Sequence, residues 1–106
     1  MQKDKKATTV IFRRFKDGEV IAIFPYLNPR KAFRYGSNAA MMCESYMHTG
    51  QHGECDVVAL TNSLRLAEPS EYADLQKELE GIGYNLDIRK RVNWKRYNEA
   101  IRGSAV

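Results

Sequence analysis

The chain has 106 residues, of which 43% are hydrophobic and 28% charged, as is usual for one globular domain. It contains no apolar run near the roughly 18 residues of a membrane span, and its basic N-terminus lacks the apolar core of a secretion signal. These features exclude membrane and secreted classes. We therefore expect a cytoplasmic protein without membrane association, in which Cys43 and Cys55 are free thiols.

The net charge of +4 is unevenly distributed along the chain. Residues 1–43 have a balance of +6, residues 44–81 of −6 and residues 82–106 of +4. Such asymmetry favours an oriented partner, either nucleic acid on the basic blocks or a protein with complementary patches. The alternative is a solvated surface whose opposite fields partly cancel in the folded chain.

The first structural signal is a β-hairpin behind a flexible basic arm at residues 1–7. Strands are predicted at Thr8–Lys16 and Glu19–Pro25, because both runs are apolar and rich in β-branched residues. Asp-Gly between two such runs is typical of a two-residue type I′ turn, which needs positive φ at both positions. The pair Asp17 and Gly18 is therefore predicted to connect the strands.

A two-residue turn fixes the predicted register of this hairpin. Phe12 then lies opposite Ile23, and Arg14 opposite Ile21. One face, assigned to the core, holds Val10, Phe12, Ile21 and Ile23. The other face holds Ile11, Phe15, Val20 and Phe24 together with Arg13. A hairpin that is apolar on both faces is either central in its sheet or exposes a patch. A homo-oligomer formed through such a patch is thus an open alternative.

The middle of the chain gives weaker signals. Residues 28–38 are predicted as a basic connection rich in turn residues. Ala40–His48 alternates as a strand, with Met41, Cys43, Ser45 and Met47 on one face. Residues 49–56 are predicted as a glycine-flanked loop. Residues 57–66 fit both helical and strand periodicity, and the sequence leaves this choice open.

The clearest signals lie between Pro69 and Val92. Pro69 suits a first helical position, and Gly83 suits the left-handed residue that ends a helix. The predicted buried stripe of this helix comprises Tyr72, Leu75, Leu79 and Ile82. A strand follows whose inner face holds Tyr84, Leu86, Ile88 and Val92. If this strand is the parallel neighbour of the Ala40 strand, the helix between them crosses right-handed.

Together these elements predict one α+β domain over residues 1–106. Its core, residues 8–92, is a small, mostly antiparallel sheet of about four strands, including the N-terminal hairpin, covered by one main α-helix. Residues 93–106 are predicted as a basic tail with at most a short helix.

One grouping resembles a metal site, namely C-x4-H-x3-H-x2-C formed by Cys43, His48, His52 and Cys55. Thiolates and imidazoles suit zinc, but this spacing fits no common zinc-finger pattern. Strand alternation also places Cys43 on the core face, opposite to His48. We therefore expect no metal and no other cofactor, and a structural zinc module is kept as an alternative.

The same segment offers a candidate catalytic or ligand-binding loop. His52 could serve as a general base oriented by Glu54 or Asp56, with Cys55 as nucleophile, and His48 lies nearby. The chain has no nucleophile-elbow, P-loop, HExxH, CxxC or dinucleotide motif. Glycine and polar residues are also what a tight turn needs. A small enzyme or ligand-binding protein centred on this loop is the second hypothesis.

Basic residues interleaved with aromatic ones form the candidate partner-binding site: Arg13, Arg89, Arg91, Trp94, Lys95 and Arg96. Cations can contact phosphates while an aromatic ring stacks on a base. The surface could be enlarged by Arg14, Arg30, Lys31 and Arg34, with Phe33 and Tyr35 nearby. The alternative is that Trp94 and Tyr97 pack the tail onto the sheet while the charges stay solvated.

Three segments carry a resemblance to other proteins: VIFRRFKDGEVIAIFP, SYMHTGQHG and PSEYADLQKELEGIGYNLDIRKRV. Over most of residues 8–92 the chain resembles a group of small uncharacterised proteins from bacteriophages and mobile elements of gut bacteria. That group has no established activity, so the resemblance implies genomic context and no catalytic residues. It favours a small host-directed or regulatory protein over a metabolic enzyme. The leading hypothesis is a non-enzymatic binding module that docks nucleic acid or a host protein.

Overall fold

A computed structural model describes residues 7–32, 40–48 and 50–104. In these ranges a seven-stranded mixed sheet is combined with three α-helices. The strands are β1 (Thr8–Arg14), β2 (Val20–Phe24), β3 (Arg30–Ala32), β4 (Ala40–Met47), β5 (Gln51–Asp56), β6 (Arg65–Leu66) and β7 (Leu86–Ile88). The helices are α1 (Val57–Ser63), α2 (Pro69–Ile82) and α3 (Trp94–Ser104). The α+β class is confirmed, but four strands and one helix understate the fold.

The hairpin β1–β2 lies in the middle of the sheet. The strand order is β3-β4-β2-β1-β6, with β5 paired to β4 and β7 paired to β1. The strand after α2 therefore has β1 as its parallel neighbour, with Thr8 opposite Leu86. The condition considered in the sequence analysis, a parallel pairing of this strand with the Ala40 strand, is not met.

The hairpin register differs from the predicted one by one residue. Phe12 lies opposite Ala22, because the turn contains three residues and not two. Phe15 N–H donates to the Glu19 carbonyl at 2.8 Å, and Gly18 alone takes a positive φ, of 98°. A three-residue turn that ends in a left-handed glycine is the next commonest hairpin connection. The shift moves every β2 side chain to the opposite face.

The corrected register gives the sheet two apolar faces, and both are covered. The α2-side core comprises Val10, Phe12, Ala22, Phe24, Tyr46, Ala67, Leu75 and Leu79. The α3-side core comprises Ile11, Ile21, Ile23, Cys43, Cys55, Val57 and Tyr97. Of the two alternatives for the hairpin, the central position is confirmed. The sequence-based reason for a homo-oligomer, an uncovered hairpin face, therefore does not apply.

The segment predicted as a loop is largely an edge strand. Strand β4 and its alternation are confirmed, and β5 pairs with it antiparallel, with Cys43 opposite Cys55 and Tyr46 opposite His52. Gly50, at φ 79°, precedes the new strand. The loop prediction for these residues is wrong because most β5 side chains are exposed. An exposed strand shows no apolar alternation.

Residues 57–66, left open by the sequence, form mainly a helix. The carboxylate of Asp56 caps α1 by accepting from Ala59 N–H at 3.0 Å. Val57 is buried in the α3-side core, and Leu60 and Leu64 pack against it. The helical spacing of these three residues was therefore the correct signal. The short strand β6 follows.

Helix α2 begins and ends where predicted. Glu68 N–H donates to the Glu71 carboxylate at 2.8 Å, Gly83 has φ 125°, and Tyr84 N–H donates to the Leu79 carbonyl at 3.1 Å. This last bond is the closing bond of a Schellman-type end. Of the predicted stripe, Ile82 in the last turn is 53% exposed, so its assignment to the core is wrong.

The predicted basic tail is an amphipathic helix that completes the second core. Tyr97 of α3 is 0% exposed, and its hydroxyl donates to the Met42 carbonyl at 2.8 Å. Burial raises the pKa of Tyr97 to about 12. Asn93 caps the helix, since its side chain accepts from Arg96 N–H at 3.1 Å. The predicted arm at 1–7, apart from Ala7, lies outside the described residues.

Candidate nucleic-acid interface

Three of the predicted partner-binding arginines converge where the sheet edge meets α3. Arg89, Arg91 and Arg96 line a cavity of about 230 Å³. The other residues that line it are Thr9, Tyr26 and Asn93. The chain reaches this point because β7 pairs along β1 and the next residues turn into the capped start of α3. Residues 89–96 thus form one surface together with Thr9 and Tyr26, which come from distant parts of the chain.

Tyr26 organises this surface. Its hydroxyl accepts from Asn93 N–H at 2.8 Å, which ties the turn before α3 to the end of β2. The Arg96 guanidinium lies 4.3 Å from the centre of the Tyr26 ring, a cation–π contact. The turn and the Arg96 side chain are therefore held in place, while the guanidinium itself remains exposed.

Unpaired cations concentrate at the same place. Within the described residues, Lys90, Arg91, Lys95 and Arg96 form no ion pair, while Arg89 pairs with Asp87 at 3.0 Å. We call these five residues, 89, 90, 91, 95 and 96, the basic edge. Their side chains are exposed, and Asp87 is the one carboxylate that forms an ion pair with any of them within the described residues.

The basic surface is smaller than the sequence suggested. Arg14 and Arg65 both pair with Glu71, at 3.1 and 2.8 Å, and Arg30 pairs with Glu54. The Arg65 guanidinium lowers the pKa of Glu71, which accords with a formed ion pair. Phe33, Arg34 and Tyr35 lie outside the described residues. Arg14 and Arg30 therefore add no unpaired positive charge to the surface.

Arg13 is a structural residue and not part of the exposed surface. Its guanidinium donates to the carbonyls of Thr61 and Leu64 at the end of α1, at 3.2 and 3.0 Å, and to the Lys90 carbonyl at 3.1 Å. Burial lowers its pKa. Arg13 thus joins three separate segments and holds the residues of the basic edge from behind. Its assignment to partner binding stays a prediction, which these hydrogen bonds make less favourable.

Replacement by methionine is expected to affect stability at Arg13 and nucleic-acid binding at Arg91. Arg13→Met should lower the free energy of unfolding by about 1–3 kcal/mol, because three carbonyls lose a charged donor, and should leave nucleic-acid affinity within about twofold. Arg91→Met should leave stability nearly unchanged and weaken binding. Urea unfolding and fluorescence anisotropy measure the two effects. If both variants changed the free energy of unfolding and the affinity to the same extent, the different roles assigned to Arg13 and Arg91 would be wrong.

The two aromatic residues of α3 have different surroundings. Tyr97 is buried, as the packing alternative for the tail proposed. Trp94 is 39% exposed and meets the Tyr97 ring edge-on, with centroids 5.5 Å apart. Trp94 therefore keeps an accessible part of its ring beside Lys95, where a base could stack on it.

The candidate catalytic loop is not assembled as a catalytic site. His52 lies against the Tyr46 ring, on the face of the sheet that α2 covers. Cys55 is buried in the α3-side core, so it does not face His52. A nucleophile and base from this segment are thus separated by the sheet.

His48 has a different environment, at the end of β4. Its Nδ1 lies 2.6 Å from Oε1 of Glu78. The other carboxylate oxygen, Oε2, accepts from Gly50 N–H at 3.2 Å and from the Tyr46 hydroxyl. The Glu78 contact raises the pKa of Tyr46. His48 also lines a cavity of about 200 Å³ whose other walls include Glu19, Glu71 and Asp74. Through these contacts Glu78 of α2 stabilises the end of β4 and Gly50. We call the cavity beside it, lined by Glu19, Glu71 and Asp74, the acidic groove.

The four candidate metal ligands do not meet at one point. Cys43 and Cys55 lie in the α3-side core with their sulfurs 3.7 Å apart, both as free thiols. Burial beside a second thiol raises the pKa of Cys43. His48 and His52 lie on the other face. Among the described residues, no group of three or more His, Cys, Asp or Glu side chains is arranged to hold a metal ion.

Two features of the interface were missed in the sequence. Tyr26 and Thr9 come from distant parts of the chain, and no local pattern links them to the α3 start. Asn93 was a readable signal, because asparagine before an apolar helical stripe is a typical cap.

The chain matches no family model, no curated protein and no solved structure. No helix within the described ranges has the length and apolar character needed to cross a membrane. The site's interpretation therefore depends on its own chemistry.

Proposed function

We propose that the protein is a non-enzymatic binding protein that docks nucleic acid through the basic edge. The observation that carries this proposal is the convergence of Arg91 and Arg96 on one cavity, without ion-pair partners among the described residues, next to the exposed ring of Trp94. Guanidinium groups bind phosphate oxygens through paired N–H donors. The exposed Asn93 side chain, whose oxygen caps α3, adds a polar group of the kind that contacts nucleic-acid backbones.

A host protein with an acidic patch is the alternative partner. Nucleic acid fits better because the surface combines a row of cations with half-exposed aromatic rings, the combination that binds phosphates and bases. Encoding by a bacteriophage or mobile element remains part of the proposal, and the neighbouring genes would test it.

The proposal is tested by a salt titration. Fluorescence anisotropy with a labelled mixed-sequence decamer should show binding at 25 mM salt and a steep loss of affinity as salt rises to 200 mM. If three or four phosphates contact the basic edge, the slope of log K against log salt should be about −2 to −3.5. Absence of binding at 25 mM, or an affinity independent of salt, would overturn the proposal.

A ligand-binding role near His48 is the second candidate. It is favoured by the His48–Glu78 contact beside the acidic groove. His48→Asn should leave nucleic-acid binding unchanged if the basic edge is the binding surface. Loss of nucleic-acid binding in this variant would contradict the basic edge as the binding surface.

A further inference from the structure

A second cavity adjoins the basic edge and has an apolar wall. Its volume is about 550 Å³, within the range of about 300–1,000 Å³ typical of small-ligand sites. It is lined by Phe12, Leu66, Ala67, Glu68, Pro69, Tyr72, Ile88, Arg89 and Lys90. The cavity opens beside β1, between the part of β1 that pairs with β6 and the part that pairs with β7.

The walls of this cavity suit a flat aromatic ligand. Tyr72 stacks on Phe12 with ring centroids 4.3 Å apart and planes 11° from parallel. Phe12 is 1% exposed, so Tyr72 is the ring of this lining that a ligand can reach. Ile88, on the apolar face of the strand after α2, is 37% exposed here. The polar groups of the lining are the carboxylate of Glu68 and the cations of Arg89 and Lys90. A carboxylate can accept from the amino group of a base.

Arg89 connects this cavity to the phosphate-binding surface. It lines both the 550 Å³ cavity and the 230 Å³ cavity of the basic edge. The first cavity is bounded by rings of the α2-side core and the second by Tyr26 and α3, so the two lie on opposite faces of the sheet. They meet at the end of β7, which pairs only with β1 among the described strands.

We propose that the protein binds single-stranded nucleic acid, with phosphates on the basic edge and one unpaired base in the Phe12–Tyr72 cavity. This inference rests on the proposed function and adds its substrate class. A chain that crosses the sheet edge at Arg89 can place a phosphate on one side and the next base on the other. A duplex offers phosphates but keeps its bases stacked and paired, so it cannot fill the aromatic cavity without an extruded base.

Three decamers test this inference at one salt concentration: a mixed-sequence single strand, its duplex, and an abasic strand with the same phosphates. The single strand should bind about tenfold more tightly than the abasic strand, because stacking of one base on an aromatic ring accounts for about 5- to 100-fold in affinity. It should also bind more tightly than the duplex, although the duplex carries more phosphates.

Two tyrosines provide a matched pair of variants. Tyr72→Leu removes the ring that lines the cavity and should reduce the difference in affinity between the normal and the abasic strand to the part that stacking on Trp94 contributes. Tyr84→Leu is the control: Tyr84 is likewise stacked on a core phenylalanine, Phe24, at 5.2 Å and 9°, but it does not line the cavity. This control should keep the full difference between the two strands.

The outcomes separate this inference from the proposed function. Equal, salt-sensitive binding of all three decamers would overturn the single-strand inference and leave the basic edge as a phosphate-binding surface. Failure of every decamer to bind at 25 mM salt would overturn both. If Tyr72→Leu does not fold, Trp94→Ala decides: the difference between normal and abasic strands should persist in this variant if the base occupies the cavity, and its loss would assign the base to Trp94.

Discussion

Replacing Tyr97 with alanine is expected to lower the free energy of unfolding by about 3–5 kcal/mol, the usual cost of deleting a fully buried aromatic ring. The side chain is 0% exposed, and its hydroxyl donates to carbonyls of Met42 and Arg30 at 2.8 and 3.3 Å. Without the ring, α3 loses its central contact with the sheet, and the basic edge loses the helix that carries Lys95 and Arg96.

Urea unfolding followed by circular dichroism measures this effect. Tyr97→Phe keeps the ring and should cost only about 1–2 kcal/mol, from the carbonyls that lose their donor. Trp94→Ala, on the same helix but half-exposed, is the control and should cost less than Tyr97→Ala. If the two alanine variants cost the same, α3 does not belong to the core and the tail is only loosely attached.

The double variant Arg91→Ala/Arg96→Ala is expected to weaken nucleic-acid binding by ten- to a hundredfold, on the order expected for two lost phosphate contacts at low salt. The slope of log K against log salt should become shallower by about 1.4 for a single strand, since each contact contributes about 0.7. Both side chains are exposed, so stability should change little.

A second double variant separates local contact from net charge. Lys16→Ala/Lys77→Ala removes the same two charges from exposed positions in the β1–β2 turn and on α2. It should leave the slope unchanged, because these residues lie outside both cavities. Arg96→Lys keeps the charge but loses the planar group over Tyr26, and should give an intermediate loss. Equal losses in both double variants would mean that binding follows overall charge alone.

The elements that the sequence predicted well are those with strong local signals. Helix α2 has proline at its start, a carboxylate at its third position and glycine at its end, so local chemistry fixes both boundaries. The β1–β2 hairpin was found from Asp17-Gly18, but its register was not. The sequence does not distinguish a two-residue turn from a three-residue turn ending in the same glycine, and this one residue decides which face Ile21 and Ile23 occupy.

The elements that were missed are stabilised by tertiary contacts. Strand β5 is polar and glycine-containing, and its hydrogen bonds to β4 determine its conformation. Helix α3 carried an apolar spacing from Trp94 to Tyr97 and Ile101 that its many cations obscured. In the site, Arg89, Arg91 and Arg96 were foreseeable because they are close in the sequence. The inward position of Arg13 was not, because its three acceptors lie 48 to 77 residues away.

Amide chemical shifts of the ¹⁵N-labelled protein, followed while a single-stranded decamer is added, test the basic edge as the binding surface most directly. The largest changes should fall on residues 88–97, with further changes at Thr9, Tyr26 and Tyr72. Changes centred instead on His48, Gly50 and Glu78, or an even spread over the whole surface, would contradict binding at the basic edge.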